Sequence, residues 1–245
     1  MKRQVVVVGM GRFGSSVARE LYQMGHDVLA IDKEESEVQE LLGQVTYAVK
    51  ADATNEAVLR ELGVPNFDVA VVAVGTDIQA SVLTTVLLKS LGVPRVIARA
   101  TNALHGLTLE RIGADKVVYP EQEMGVRVAH VHFITDVLDY MEVVPNFGIS
   151  KIRPPDHIFN RSLEEAGLGG PRDKYGIAVL AIKRGREHIL TPSKDEVVRP
   201  GDILVVAGKA ESLGRLYAAG RDWQRERQRE AEAEPAARRT ARGAQ

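Results

Sequence analysis

The 245-residue chain has no cysteine, a single tryptophan and only 5% aromatic residues. Without cysteine there can be no disulfide, thiolate metal site or cysteine nucleophile, and the composition fits a reducing compartment. Net charge is also nearly absent, formally -1. The chain therefore lacks the basic field with which a general nucleic-acid binder neutralises phosphates, and no nucleic-acid partner is expected. No stretch approaches the roughly 18 consecutive apolar residues of a membrane-spanning helix. The apolar run after Lys2 and Arg3 is too short for a secretory leader, so a cytoplasmic protein is expected. Catalytic signatures are scarce as well. The six histidines are scattered, with no H-E-x-x-H spacing and no G-x-S-x-G elbow. His130 and His132, two residues apart, cannot share a helix face.

What is present begins at once. Residues Gln4 to Gly14 read QVVVVGMGRFG, a valine run that opens into Gly9-x-Gly11-x-x-Gly14. β-branched residues on both faces suit a buried parallel strand. The glycines allow a tight turn, close approach of backbone to a pyrophosphate, and close helix–strand packing. Asp32 ends the next apolar run, 18 residues past Gly14. A carboxylate there accepts the ribose hydroxyls of an adenosine and repels a 2′-phosphate, which disfavours NADP.

Apolar runs and helical-period segments then alternate. Strands are predicted at Gln4–Val8, Asp27–Ile31, Val45–Val49, Val69–Val74, Arg95–Ala98 and Lys116–Tyr119. Helices lie between them, the last near Gly125–Phe133. This is the grammar of an α/β fold, a doubly wound parallel sheet with right-handed crossovers. Gly25, Gly63, Gly92 and Gly113 each follow a periodic stretch and can close a helix.

After Phe133 the pattern changes. Val137–Val144 is short and alternating, and the stretch from Pro145 to Pro155 reads as an interdomain connection. The expected organisation is a nucleotide-binding domain over 1–135, a linker over 136–147, a small α+β module over 148–220 and a charged tail over 221–245. In the module, β-like runs at Ile149–Ile152, Ala178–Ile182, Glu187–Leu190 and Ile203–Val206 accompany short helices near Ser162–Ala166 and Ala210–Tyr217. The tail has almost no apolar residues, so a fraying helix followed by disorder is expected.

In an open parallel sheet, ligands lie outside the carboxyl ends of the strands. Asp52, in the run Ala51-Asp52-Ala53-Thr54, can there reach an adenine or its ribose, or Asp52 or Thr54 can simply cap the helix beginning near Asn55. Gly75, Thr76 and Asp77 line the same crevice. Arg12, after the second glycine, adds a forked donor to the backbone amides and suits a polyphosphate. Glu121 and Glu123, past the sixth strand, are candidates for oxygen ligation of Mg²⁺ or Ca²⁺, with capping of the next helix as the alternative.

The segments GMGRFGSSVARELYQMGHDVLAID, ADAT, AVVAVGTDIQASVLTTVLLKSLGV and RIGADKVVYPEQEMGVRVA occur in this order. Together they resemble the cytosolic regulatory subunits of Ktr/Trk potassium uptake systems, the KtrA-like RCK (regulator of K⁺ conductance) proteins. The likeness runs from Lys2 to about Tyr217, and KYGIAVLAIKR and RPGDILVVAG resemble the C-terminal RCK subdomain. It implies a Rossmann-like RCK N-terminal domain followed by that subdomain. It also implies a homo-oligomeric, typically octameric ring of dimers, held on the cytoplasmic face of a membrane subunit that conducts K⁺, with ATP favouring the active ring and ADP the inactive one.

By the same resemblance, Gly9, Gly11 and Gly14 surround the phosphates and Asp32 takes the ribose. Arg12 reads a γ-phosphate, and Phe13, Lys33, Asp52, Ala53, Gly75 and Thr76 complete the nucleotide set. Glu121 matches an acidic residue associated with a divalent cation. Some relatives bind cyclic di-AMP between paired C-terminal subdomains, which would place a second site near Asn160, Arg161, Leu163 and Arg172. The alternatives are an NAD-dependent oxidoreductase and an NADH-sensing regulator, since the same glycines and Asp32 accommodate NAD/NADH.

Overall fold

The structure, a computed structural model, describes residues 2–134, 136–168 and 173–242, with side chains up to 229. The chain packs as two units, Met1–Glu123 and Met124–Gln245.

In the first unit, β1 (Gln4–Val8), β2 (Asp27–Asp32), β3 (Tyr47–Lys50), β4 (Val69–Val72), β5 (Arg95–Arg99) and β6 (Lys116–Val118) form one parallel sheet in the order β3-β2-β1-β4-β5-β6. The intervening helices are α1 (Arg12–Gln23), α2 (Glu35–Gln39), α3 (Glu56–Glu61), α4 (Ile78–Ser90) and α5 (Ala103–Arg111). The valine run of β1 has a simple physical reason. Val6 and Val8 enter one core with Leu29, Ile31, Val72 and Leu88. Val5 and Val7 enter another with Val28, Ala30, Leu41 and Val71. A central strand covered on both faces must be apolar at every position, and each such side chain contributes about 1.5–3 kcal/mol on burial.

The strand order reverses between β1 and β4, which opens a crevice at their carboxyl ends. Helix starts around it are fixed by side chains: Asn55 accepts the Ala57 N–H at 3.0 Å and Asp77 the Ala80 N–H at 2.9 Å. The cap of α3 is therefore Asn55, not Asp52 or Thr54.

The two units divide inside α6 (Pro120–Phe133), whose first turn belongs to the first unit. The second unit is built on β7 (Val137–Val144), β8 (Phe147–Ile152), β9 (Ile177–Arg184), β10 (Glu187–Leu190) and β11 (Ile203–Lys209), antiparallel in the order β10-β9-β11-β8-β7. The segment expected as a linker is thus mostly strand β7. Pro145 and Asn146 form a two-residue hairpin loop, because Asn146 adopts φ 63° and Val144 pairs with Phe147. Burial alternates along β11, and its inward residues Leu204 and Val206 pack with Ile152, Ile182, Leu213 and Leu216. Ser162–Ala166, expected as a short helix, forms turns instead, pinned by the backbone bonds of Leu163 and Glu164 to Glu196 and Lys194. The final helix α7 runs from Ala210 to Arg242, so helix continues where fraying and disorder are expected.

A buried ion pair anchors the second sheet. Arg184 donates from Nε and Nη2 to the two carboxylate oxygens of Asp202 at 3.0 and 2.8 Å, and Asp202 is 2% exposed. Burial pushes the Asp202 carboxyl up, but the Arg184 donors and the Arg199 N–H outweigh it and hold the group below its ordinary 3.8. Arg184→Ala is therefore expected to destabilise the protein by about 3–5 kcal/mol, since it strands a buried carboxylate. A carboxyl depressed by folding contributes stability that is present above about pH 4 and lost as pH falls through its folded value. The acid limb of the urea midpoint against pH should flatten in Asp202→Asn. An unchanged acid limb would remove Asp202 from this role.

Candidate functional site

The cleft is built where β1 turns into α1. Gly9 sits at φ +91° with its N–H on the Ile31 carbonyl at 2.9 Å. A Cβ on Gly9 would lie 2.9 Å from the Val74 N, and one on Gly14 would lie 1.8 Å from the Gly9 O. Neither position tolerates a side chain. Gly11 differs, since a Cβ there meets nothing within 4 Å. Its side of the turn faces open space. Gly11 caps α1 without a side-chain hydrogen bond, so the N–H groups of Arg12, Phe13 and Gly14 have no intrahelical acceptor and no side-chain cap. Partial positive charge thus collects beside an open glycine, an arrangement suited to an anion.

Asp32, at the end of β2, accepts the Met10 N–H on Oδ2 at 2.5 Å and the Glu34 N–H on Oδ1 at 2.9 Å. Its carboxylate therefore staples the glycine turn to β2, while lone pairs remain for a ligand in the cleft it lines. Asp52 accepts the Thr54 hydroxyl at 2.6 Å and the Thr54 N–H at 2.9 Å on the same oxygen. These bonds, hydroxyl first, hold its carboxyl below the usual range despite the opposing effect of burial, with the Lys33 charge adding to them. Asp52 is thus an ionised acceptor at the cleft.

The cavity enclosed is about 250 Å³. Of the expected nucleotide set, Gly9, Gly11, Asp32, Lys33, Asp52, Ala53, Gly75 and Thr76 line it. Gly14 lies beneath the turn as a packing residue. Arg12 and Phe13 are not part of the wall: Arg12 is exposed and Phe13 half-buried on the first turn of α1. Thr84, Glu37 and Arg99 also line the cleft and are missing from the sequence-derived set. Arg99 closes β5, and its guanidinium donates from Nη2 to Glu121 Oε1 at 2.5 Å. The only sequence signal for it was its position one residue beyond the predicted end of the fifth strand.

The Glu121 carboxylate is engaged by Arg99, and among the described residues no group of three or more acidic, histidine or cysteine side chains could hold a metal by itself, so a cation at Glu121 would need oxygens of the nucleotide as further ligands. Glu123 turns back to the start of its own helix, toward the Tyr119 N–H at 3.5 Å. A nucleotide does fit, on the open Gly11, the uncapped first turn of α1 and the carboxylates of Asp32 and Asp52.

In the second unit, Asn160 sits at φ 59° with its N–H on the Val198 carbonyl at 2.7 Å, and Arg161 is exposed beside it. Leu163 is 3% exposed and belongs to the core, so its side chain faces away from any surface ligand. Arg172 lies outside the described residues. His130 stacks on Tyr140 with ring centroids 3.9 Å apart.

Residues 5–120 match the TrkA-N domain model and residues 149–219 the TrkA-C domain model. The chain is 40% identical over 216 residues to the Ktr system potassium uptake protein C of Bacillus subtilis (strain 168), covering 88% of this chain and 96% of that protein. It belongs to the Ktr family of potassium uptake proteins. The Ktr system potassium uptake protein A of Vibrio alginolyticus is 33% identical over 211 residues, covering 86% of this chain and 94% of its own. Among solved structures, the GsuK RCK domain superposes with a TM-score of 0.58 at 18% identity, over 87% of this chain and 46% of that one. The GsuK channel bound to NAD gives 0.58 at 17%, over 88% and 39%. These two show the RCK fold. The TrkA-N match contains every residue lining the cleft, while β7 and the part of α7 beyond 219 fall outside both matched segments.

The glycines separate folding from binding in this Ktr-family cleft. Gly14→Ala forces a clash with backbone and should destabilise by at least about 1–3 kcal/mol. Gly11→Ala has room and should stay within about 0.5 kcal/mol of the parent protein in urea denaturation. In calorimetry Gly11→Ala should nevertheless lose most adenine-nucleotide affinity. Full affinity in Gly11→Ala would move the phosphates away from this turn.

Proposed function

We propose that this protein is the cytosolic regulatory subunit of a Ktr-type potassium uptake system, controlled by ATP and ADP in the cleft of its first unit. The observation that carries the reading is the open, uncapped turn at Gly11, flanked by Asp32, in a chain of the Ktr family. Gly9, Gly11 and Gly14 would surround the phosphates, Asp32 would take the ribose, and Asp52 with Ala53 would face the adenine side. Gly75 and Thr76 would close the cleft opposite. Arg12 is exposed and its guanidinium makes no ion pair or hydrogen bond among the described residues, which leaves it available to a γ-phosphate.

The protein is not an enzyme in this reading. Its residues bind and report, and the nucleotide serves as a signal. ATP and ADP can stabilise different subunit arrangements only through the difference of their binding energies in the two arrangements, and a few kcal/mol suffices for a large population shift. The partners are further copies of this chain, arranged as a ring of dimers, and a membrane subunit that conducts K⁺. None of the helices in the described residues is long and apolar enough to cross a membrane. Attachment to the inner face of the membrane would therefore run through the partner. Two parts of the sequence reading are carried no further than an expectation: cyclic di-AMP, for which Asn160 and Arg161 are the surface residues, and a divalent cation.

Calorimetry with ATP, ADP and NADH decides the ligand. ATP and ADP should bind, and scattering of the two complexes should differ in radius of gyration. Binding of NADH alone would replace this reading with an NADH sensor, and sustained turnover of NADH with a carbonyl substrate would make the protein an oxidoreductase. In Arg12→Ala the preference for ATP over ADP should fall by about tenfold, the scale of one charge-assisted hydrogen bond. Equal weakening of both nucleotides would remove Arg12 as the γ-phosphate reader.

A further inference from the structure

Arg99 is an unusual cation for a cleft wall. Its side chain is 21% exposed, against 65% for its only ion-pair partner among the described residues, Glu121. Its Nε–H is buried and meets no acceptor among the described residues. The guanidinium is seated against Gly75, where a Cβ would come 2.5 Å from Nη1, so the absence of a side chain at 75 gives Arg99 its place in the wall. The other ionisable groups lining the cleft are Asp32, Glu34, Glu37, Asp52 and Asp77, with Lys33 as the second cation. Lys33 is exposed on the β2 side, so the β5 side has Arg99 alone.

A half-buried guanidinium whose Nε–H is buried and unused is poorly compensated, whereas an exposed carboxylate returns to water at little cost. An anionic oxygen in the cleft would therefore win Arg99 from Glu121, because a fork of N–H donors binds phosphate in a bidentate way. We infer that Arg99 binds a phosphate oxygen of the nucleotide in exchange for Glu121, and that Glu121 acts as the internal anion competing for that site. Arg99 then senses phosphate charge on the β5 side of the cleft. Occupation of the cleft frees the carboxylate that opens α6. This inference rests on the adenine-nucleotide reading, and it gives Glu121 a part that requires no metal.

The test is calorimetric titration of the full chain and its variants with adenosine, ADP and ATP in EDTA. Glu121→Gln removes the competing anion and should tighten ADP and ATP by about two- to fivefold, leaving adenosine unchanged. Arg99→Gln should weaken ADP and ATP by about tenfold or more with adenosine unchanged, and Arg99→Lys should restore part of the loss. Gly75→Ala, which displaces the guanidinium, should follow Arg99→Gln in direction. Unchanged nucleotide affinities in Glu121→Gln or Arg99→Gln, or loss of adenosine binding in parallel with ATP in Arg99→Gln, would overturn the inference. Failure of the unmodified protein to bind any adenine compound would instead overturn the nucleotide reading itself, which separates the two failures.

Discussion

Gly14 lacks a Cβ, and the cleft depends on that absence. Its backbone approaches the Gly9 carbonyl so closely that a Cβ would stand 1.8 Å away, and would also crowd Ala73 at the carboxyl end of β4 at 2.9 Å. This close approach brings the first turn of α1 down onto the point where the strand order reverses. The uncapped N–H groups of that turn then begin directly after Gly11, which lines the cleft. Asp32 completes the arrangement by tying Met10 and Glu34 to the end of β2. A single steric constraint therefore sets both the packing of the first unit and the position of its anion-attracting surface.

Charge in the cleft is divided in a way that suits a nucleotide. Carboxylates at Asp32 and Asp52 line the side where the hydroxyls and exocyclic amine of an adenosine would be donors. Positive potential comes from the start of α1 and from Arg99 across the cleft. Because Arg99 already holds Glu121, a phosphate would have to compete for it, which would make the response of the cleft depend on ligand charge. In this account the distinction between nucleotides arises from competition among few charged groups.

Much of the first unit was legible in the sequence because its signals are local. The valine run of β1, the glycine spacing and Asp32 each reflect constraints acting within about thirty residues of chain, and all six strands stand near their predicted positions. The second unit was less legible. Val137–Val144 carries a strand pattern, but Pro145 beside it suggests a connection until Asn146 is seen in the left-handed region closing a hairpin. The polar tail reads as a helix that frays into disorder, because its sequence has no apolar stripe to bury, whereas α7 runs on to Arg242. Arg99 was missed for a different reason. Its role follows from Gly75, 24 residues earlier, and from Glu121, 22 residues later, and no local pattern reports their convergence. Glu121 was correctly placed past the last strand of the parallel sheet, but its counter-ion was hidden in the same way.

The central claim is that an adenine nucleotide lies across the uncapped turn at Gly11. Amide hydrogen exchange at short labelling times, with and without saturating ATP, tests it most directly. The account predicts slowed exchange at residues 11–14 and at 52–54, with the second unit's sheet unchanged or altered only secondarily. Unchanged exchange at residues 11–14 while ATP is bound would contradict it.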